Sequence, residues 1–232
     1  MSTPFLFEPP AIQSLPIQGQ SHRFPIRRLF FVGRNYLAHA AEMGFSVDKS
    51  TETPFYFTKS PYALAHSNGS IQYASGTANY HYELELVVAI GAAGFQVSSA
   101  EAHQLIYGYG VGLDMTRRDL QFALRDKGRP WDLAKDVEMG AVCSEIVPMQ
   151  GVVKTTGKIE LEVNGQVKQK ADISQLIWSI SEIIEDLSKY YHLQPGDLIY
   201  TGTPEGVGPV QVGDQLRGCV EGITEVTALV VP

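Results

Sequence analysis

Short apolar runs, separated by turns rich in Gly, Pro, Asn and Ser, dominate the hydrophobic pattern of this 232-residue chain. Runs of this length, with many β-branched and aromatic residues, predict strands. They cover residues 28–32, 55–59, 82–91, 109–114, 159–163, 166–170, 198–200, 214–220 and 224–231. The Asn164-Gly165 pair between two of these runs predicts a hairpin with a type I′ turn.

Helical spacing of apolar residues is confined to a few segments. The clearest begins with the capping-box pair Ser179 and Glu182. Its apolar positions form one stripe of period 3.6, at Ile180, Ile183, Ile184, Leu187, Tyr190 and Tyr191. Three shorter helices are predicted over residues 35–43, 98–106 and 116–127.

Capping patterns mark the ends of these shorter helices. Ser98 with Glu101, and Thr116 with Asp119, have the spacing of a capping box. Gly44 and Gly128 follow two of the helices and predict their C-terminal ends.

Strands outnumber helices, and the two do not alternate regularly along the chain. This order disfavours a doubly wound parallel sheet and predicts a β-rich α+β fold. Residues 1–25, rich in Pro, Gln and Ser, are interpreted as a lead-in segment, and residues 26–232 as a single catalytic domain. The polar residues 46–54 predict a mobile loop, and we hypothesise that it serves as a lid.

Composition excludes several classes of protein. A net charge of −7 argues against a nucleic-acid partner and against an anionic membrane surface. No apolar stretch approaches the roughly 18 residues of a membrane span, and the N-terminus lacks the pattern of a secretory signal. Two cysteines, Cys143 and Cys219, give neither a disulfide framework nor a zinc cluster, so a reducing cytoplasm is the expected location.

Two glutamates in the run 82–91 suggest a metal site. Glu83 and Glu85 are two apart, so on a strand they share one face, and Asp114 ends another strand-like run. Adjacent carboxylates repel unless a cation lies between them, and a hard divalent ion takes carboxylate oxygens as ligands. A solvated acidic strand face is the alternative interpretation.

His39 and Glu42, three apart on a predicted helix, are a second candidate for chemistry. A carboxylate beside an imidazole orients it, as a general base for water requires. A surface pair without a role is the alternative.

Three further segments carry weaker signals. Arg117 and Arg118 follow Asp114 at a predicted helix start, where one arginine can hold a carboxylate, although two solvated arginines fit equally well. Lys135 lies in an apolar stretch, where a lysine either approaches a site or extends its stem along apolar surface with its charge in water. The glycine-rich loop 201–208 lacks the ending of a P-loop, which excludes nucleotide binding of that type; it either brings backbone N–H groups to a substrate carboxylate or is a structural turn.

Taken together in order, these segments resemble the fumarylacetoacetate hydrolase family. The matching motifs are Val32-Gly33-Arg34-Asn35-Tyr36 with His39 and Glu42, His81-Tyr82-Glu83-Leu84-Glu85, Asp114-Met115-Thr116-Arg117-Arg118-Asp119-Leu120-Gln121, Pro130 to Lys135, and Thr201 to Gly208. Within the family, the double arginine and the run Leu176-Ile177-Trp178-Ser179 are most similar to the fumarylpyruvate hydrolase branch of acylpyruvases.

The resemblance implies a mixed β-sandwich roll, assembled as a homodimer, and roles for ten residues. Mg²⁺ or Mn²⁺ would bind to Glu83, Glu85 and Asp114. His39 and Glu42 would activate water, and Lys135 would stabilise developing charge. Arg34, Arg118, Gln121 and Thr203 would hold the substrate.

The reaction implied is hydrolysis of the C–C bond of a 2,4-diketo acid, fumarylpyruvate above all, in gentisate-type aromatic catabolism. The sequence departs from the family pattern at Ser60, where Pro is usual, and at Asp136-Val137-Glu138, where Ser-Phe-Asp is common. Two alternatives therefore stay open within the family: another acylpyruvate hydrolase and an oxaloacetate decarboxylase. A non-catalytic protein stabilised by metal is the third alternative.

Overall fold

The structure, a computed structural model, describes residues 4–232. Over this range it contains the strands β1 (Ser14–Pro16), β2 (Arg23–Pro25), β3 (Arg28–Gly33), β4 (Phe55–Lys59), β5 (Leu64–His66), β6 (Gly69–Gln72), β7 (Tyr80–Tyr82), β8 (Leu84–Ile90), β9 (Ile106–Asp114), β10 (Thr116–Arg117), β11 (Ala141–Cys143), β12 (Val147–Pro148), β13 (Lys158–Val163), β14 (Gln166–Asp172), β15 (Asp197–Tyr200), β16 (Gly208–Pro209), β17 (Gln215–Val220) and β18 (Glu225–Val231). The α-helices are α1 (Leu37–Glu42), α2 (Arg118–Arg125), α3 (Asp132–Lys135) and α4 (Ile180–Tyr190), and short 3₁₀ turns lie at Pro61–Ala63, Ala102–Leu105 and Ile173–Gln175.

Two large sheets carry the fold. One has eight strands in the order β4-β3-β15-β8-β9-β11-β5, with β12 also paired to β9, and the other has the order β14-β13-β17-β18-β6. Both mix parallel and antiparallel pairs, since β15 runs parallel to β3 and β18 parallel to β6, whereas β8 and β9 are antiparallel. Leu84 and Leu86 of the first sheet share one core cluster with Leu161 and Leu216 of the second. The predicted β-rich α+β fold is confirmed.

The hairpin and the long helix were predicted correctly from local sequence. Asn164 and Gly165 both have positive φ, 53° and 75°, as a type I′ turn requires. Helix α4 starts with the capping box of Ser179 and Glu182. Its C-terminal end differs from the prediction, because Tyr190 is 66% exposed and does not continue the buried stripe.

The two other capping boxes do not form as predicted. After Ser98 and Glu101 the chain makes only a 3₁₀ turn. Helix α2 begins at Arg118 without a side-chain cap. The reason is that Thr116 donates its hydroxyl to the Asp114 carbonyl oxygen and accepts from Lys135, so it is not available for capping.

The N-terminal part of the described chain forms a hairpin. Strands β1 and β2 pair antiparallel, and Leu15 and Phe24 pack into a second core cluster with Leu29 and Phe31. In the loop 46–54, which has no helix or strand, Lys49 forms an ion pair with Glu182 at 2.8 Å. Within residues 4–232, no helix has the length and apolar content needed to cross a membrane.

Candidate active site and metal centre

Three carboxylates meet where strands β8 and β9 lie side by side. The predicted strand 82–91 is interrupted at Glu83, which lies between β7 and β8, while Glu85 is on β8 and Asp114 is the last residue of β9. The Asp114 N–H donates to the Glu83 carbonyl oxygen at 2.8 Å and so fixes the interruption. One oxygen from each carboxylate lies within 4.8 Å of the others, and all three residues are buried. A solvated acidic face is therefore excluded.

Three buried cations surround this carboxylate cluster. Nζ of Lys135 lies 2.7 Å from Oε2 of Glu83 and 2.6 Å from Oδ2 of Asp114. Nζ of Lys59 lies 2.6 Å from Oδ1 of Asp114. Arg118 donates to Glu83 on one side and to Gln121 on the other. Buried carboxylates need such partners, because an isolated charge in a low-dielectric interior is very costly.

The three carboxyl groups differ in their ease of ionisation. Burial raises the pKa of Glu83, but the adjacent Lys135 and Arg118 outweigh it and hold that pKa well below its usual range. Burial, followed by the charges of Asp114 and Glu83, raises the pKa of Glu85 well above its usual range. Burial likewise raises the pKa of Asp114, although Lys135 and Lys59 oppose it. The neighbouring cations therefore stabilise the ionised form of Glu83 but do not offset the cost of ionising Glu85.

These donors fit a hard divalent cation such as Mg²⁺ or Mn²⁺. Three carboxylates converge, and a cation between them would relieve the repulsion that raises the pKa of Glu85. Oδ1 of Asp114, although it is close to Lys59, lacks a hydrogen-bond partner of proper geometry and keeps lone pairs for a metal. All ligand atoms are oxygens, which disfavours zinc or copper.

His39 and Glu42 lie beside the carboxylate cluster on helix α1. Nδ1 of His39 is 3.2 Å from Oε2 of Glu42, and the Gly206 N–H donates to Oε1 of Glu42 at 3.1 Å. Partial burial raises the pKa of Glu42, but these hydrogen bonds outweigh it and leave the pKa below its usual value. An ionised Glu42 holds the proton of His39 on Nδ1, so Nε2 is the nitrogen that can accept a proton.

The glycine-rich loop 201–208 positions protein carboxylates. The Gly202 N–H donates to Oε2 of Glu85 at 2.6 Å, as the Gly206 N–H does to Glu42. Thr203 accepts from Nε2 of Gln169 at 2.8 Å, and Oε1 of Gln169 accepts from the Leu84 N–H. This loop therefore holds both the carboxylate cluster, through Glu85, and the His39–Glu42 pair, through Glu42. The sequence pattern did not predict these contacts.

Nine of the ten predicted site residues line one pocket, and the tenth, Glu42, contacts Nδ1 of His39. The nine are Arg34, His39, Glu83, Glu85, Asp114, Arg118, Gln121, Lys135 and Thr203. Aromatic side chains complete the walls, with Phe45, Phe57, Phe122 and Trp131 among them. The structure thus brings together every residue predicted to act in the site.

Sequence reasoning missed several residues of the site. Lys59, which precedes the unusual Ser60, is not among the predicted site residues, yet it is buried and donates to the carbonyl oxygens of Met115 and Gly140. A lysine that ends a strongly aromatic strand was the available signal. Gln169 had no sequence signal, because its partners Leu84 and Thr203 are remote in the chain. Arg125 in the pocket wall had none either, because only tertiary packing places it beside Phe45.

Comparison with known proteins places this geometry in a family. Residues 28–231 match the family model described as fumarylacetoacetate (FAA) hydrolase C-terminal. The chain belongs to the fumarylacetoacetate hydrolase family. The family predicted from the ordered motifs is thereby confirmed.

Relatives within the fumarylacetoacetate hydrolase family include more than one activity. Fumarylpyruvate hydrolase of Ralstonia sp is 65% identical over 190 residues, which cover 82% of this chain and 99% of the relative. The oxaloacetate tautomerase of Escherichia coli strain K12 is 35% identical over 210 residues, which cover 88% and 93%. The crystal structure of fumarylpyruvate hydrolase from Pseudomonas aeruginosa, in complex with Mn²⁺ and pyruvate, is 44% identical with a TM-score of 0.93, covering 98% of this chain and 99% of that chain.

Proposed function

We propose that this protein is a metal-dependent hydrolase that cleaves the C–C bond of a 2,4-diketo acid, and that its substrate is fumarylpyruvate. The observation that carries the proposal is that His39, whose Nδ1 contacts Glu42, lines the same pocket as the three carboxylates. A base for water beside a cation site is what hydrolysis of a chelating substrate requires. The 65% identity to the Ralstonia fumarylpyruvate hydrolase and the pyruvate bound in the Pseudomonas aeruginosa structure support this substrate.

Glu83, Glu85 and Asp114 would hold the metal ion, Mg²⁺ or Mn²⁺. The Mn²⁺ in the Pseudomonas aeruginosa structure supports this assignment. When bound, the ion supplies Lewis acidity and a template for the carboxylate and 2-oxo group of the substrate.

Side chains of the protein carry out the proton transfer, the stabilisation of charge and the binding of the substrate. Nε2 of His39, with Glu42 on the other nitrogen, takes a proton from water as the oxygen attacks the C4 carbonyl. The C3–C4 bond then breaks, its electron pair passes to the pyruvate enolate, and the proton that His39 took from water is returned to C3. The ammonium group of Lys135 stabilises the enolate charge, with burial keeping that electrostatic contribution large. Arg34, Arg118, Gln121 and Thr203 line the same pocket and would hold the substrate.

Product analysis tests this function. Purified protein with Mn²⁺ should convert fumarylpyruvate to fumarate and pyruvate in equal amounts, and in H₂¹⁸O one labelled oxygen should enter the new fumarate carboxylate. Unlabelled fumarate, or the absence of either product, would contradict hydrolysis at C4.

A second candidate reaction acts on oxaloacetate, by tautomerisation or decarboxylation, and the Escherichia coli relative favours including it. Neither reaction needs an attacking water, so both should tolerate the change Glu42→Gln better than hydrolysis does. Loss of fumarylpyruvate hydrolysis in Glu42→Gln, with oxaloacetate turnover unchanged, would separate the two activities. If oxaloacetate turnover in the wild type exceeded fumarylpyruvate hydrolysis, the second candidate would replace the first.

We also propose the setting of the activity. The protein would act in the cytoplasm as a homodimer in gentisate-type aromatic catabolism, with residues 26–232 as the catalytic domain, residues 1–25 as a lead-in segment and residues 46–54 as a lid. Neither nucleic acid nor a membrane is an expected partner, since the net charge is −7. Sedimentation equilibrium should give twice the 25.5 kDa mass of one chain.

A further inference from the structure

Two arginines in the pocket wall take no part in the proton transfer or the C–C bond cleavage described above, although one of them, Arg34, is among the residues proposed to hold the substrate. Arg34 and Arg125 line the pocket with the carboxylate cluster, yet neither contacts Glu83, Glu85 or Asp114. Arg118, by contrast, already donates to Glu83, Gln121 and His81. The cations that still have donors to offer to a ligand in this pocket are therefore Arg34 and Arg125.

Both guanidinium groups lie over the ring of Phe45. The guanidinium carbon of Arg34 is 4.7 Å from the Phe45 centroid and 5.3 Å from that of Phe55, and that of Arg125 is 5.7 Å from Phe45 and 4.8 Å from Phe122. Stacking on aromatic faces holds a guanidinium in place without consuming its in-plane N–H donors. The Nε donor of Arg34 remains free for a planar, bidentate anion, whereas Nε and Nη2 of Arg125 contact Oδ1 of Asp126.

Arg34 is unpaired in a strained backbone conformation. Among residues 4–232 no carboxylate pairs with it, and its Nε is buried without a hydrogen-bond partner. Its φ is 57°, in the left-handed region that a non-glycine residue adopts only when its surroundings enforce it. Asn35 enforces it, because its side chain donates to the carbonyl oxygens of Trp178 and Thr201 and accepts from the Trp178 N–H.

The neighbouring residue shapes the same wall. A side chain at Gly33 would place its Cβ 2.5 Å from Cδ1 of Phe55, so the ring can lie against the backbone only because the residue is glycine. The backbone turn, the glycine and the aromatic rings all serve to hold the Arg34 guanidinium at one place in the pocket.

We propose that Arg34 and Arg125, stacked on Phe45, form a clamp for the second carboxylate of a dicarboxylic acylpyruvate, and so determine specificity for the acyl group. This inference rests on the proposed function, in which the first carboxylate and the 2-oxo group are held at the carboxylate cluster. In the described part of the chain, the ion pair of Arg125 is with its exposed neighbour Asp126, at 2.9 Å, and such a surface pair is weak enough for a substrate carboxylate to displace.

Two substrates that differ at the acyl end test the clamp. Fumarylpyruvate carries the second carboxylate and acetylpyruvate lacks it. Arg34→Met and Arg125→Met keep an unbranched side chain on the rings but remove the charge. We expect kcat/KM for fumarylpyruvate to fall about 10- to 100-fold in each variant, with kcat/KM for acetylpyruvate within about threefold of wild type.

Arg129→Met is the matched control. Arg129 is exposed in the adjacent groove, and it does not line the pocket that contains the carboxylate cluster. Both substrates should keep wild-type kcat/KM in this variant. Equal losses for both substrates in Arg34→Met, or no loss for fumarylpyruvate in either clamp variant, would overturn the clamp.

Binding of the product fumarate gives a readout that does not depend on turnover. In calorimetric titrations with Mn²⁺ present, fumarate affinity should fall at least tenfold in Arg34→Met, and pyruvate affinity should stay unchanged. If wild type hydrolyses neither acylpyruvate, the proposed function fails, and fumarate binding still decides the clamp. If wild type is active but fumarate binds equally to both proteins, the clamp alone fails.

Discussion

Nζ of Lys135 lies 2.6 Å from Oδ2 of Asp114, and both side chains are buried. The same ammonium group also contacts Glu83 at 2.7 Å, so one cation links two of the three carboxylates. Burial lowers the pKa of Lys135, but the charges of Asp114 and Glu83 outweigh it and hold that pKa above its usual value. Lys135 is therefore charged at neutral pH and acts as an electrostatic partner, not as a base.

Removal of this cation should destabilise the metal-free protein. In Lys135→Met the carboxylates lose a buried counter-charge, and we expect the free energy of unfolding in EDTA to fall by about 3 kcal/mol. Mn²⁺ should recover more stability in the variant than in wild type, because it replaces the missing positive charge. Urea unfolding with and without Mn²⁺ measures both effects; an equal Mn²⁺ effect in the two proteins would contradict the assignment of Lys135 to the metal centre.

Neutralisation of Glu85 should have the opposite effect. The pKa of this carboxyl is raised by burial and then by Asp114 and Glu83, so its ionised form opposes folding when no metal is bound. Glu85→Gln keeps an oxygen that can accept from the Gly202 N–H. In EDTA the variant should be as stable as wild type or about 1 kcal/mol more stable.

The added stability from Mn²⁺ should shrink in Glu85→Gln, since one charged ligand is gone. Thermal unfolding in EDTA and in a Mn²⁺ series gives both numbers. A marked loss of stability in EDTA would show that Glu85 is a structural acid and not a metal ligand.

Glu42 should contribute to the loss of folding stability at acid pH. Its pKa is lower in the folded chain than the ordinary value of 4.5, because hydrogen bonds from His39 and the Gly206 N–H outweigh its burial. The ionised carboxylate therefore stabilises the fold above pH 4.5, and that contribution is lost as the pH falls through the lower, folded-state pKa.

Unfolding of wild type and Glu42→Gln between pH 3 and pH 7 checks this dependence. The difference in unfolding free energy should be constant above about pH 5 and should shrink below pH 4.5. A difference that stays constant down to pH 3 would contradict a lowered pKa for Glu42.

Local sequence predicted the parts of the fold that local interactions determine. The type I′ turn at Asn164-Gly165 and the capping box at Ser179 both need only neighbouring residues. The false capping box at Thr116 shows the limit, because a remote lysine takes the hydroxyl that a helix N-terminus would use. A contact of 19 residues' separation leaves no signal in a local pattern.

The candidate site likewise has some features that local sequence predicts and others that depend on remote contacts. The spacing of Glu83 and Glu85 predicted that their carboxylates meet, and they do, although through an interruption of the strand and not along one regular face. Lys59 remained hidden because its partner Asp114 lies on another strand of the sheet. The stacking of Arg34 and Arg125 on one ring depends on tertiary packing alone.

The ultraviolet absorbance of fumarylpyruvate tests the central claim most directly. Wild-type protein with Mn²⁺ should remove the diketo-enol band rapidly, EDTA should stop the loss, and His39→Ala should reduce the rate by about 100- to 10,000-fold while it keeps Mn²⁺ binding. A His39→Ala protein with the full rate, or a wild-type rate that EDTA does not change, would contradict metal-dependent hydrolysis by water that His39 activates.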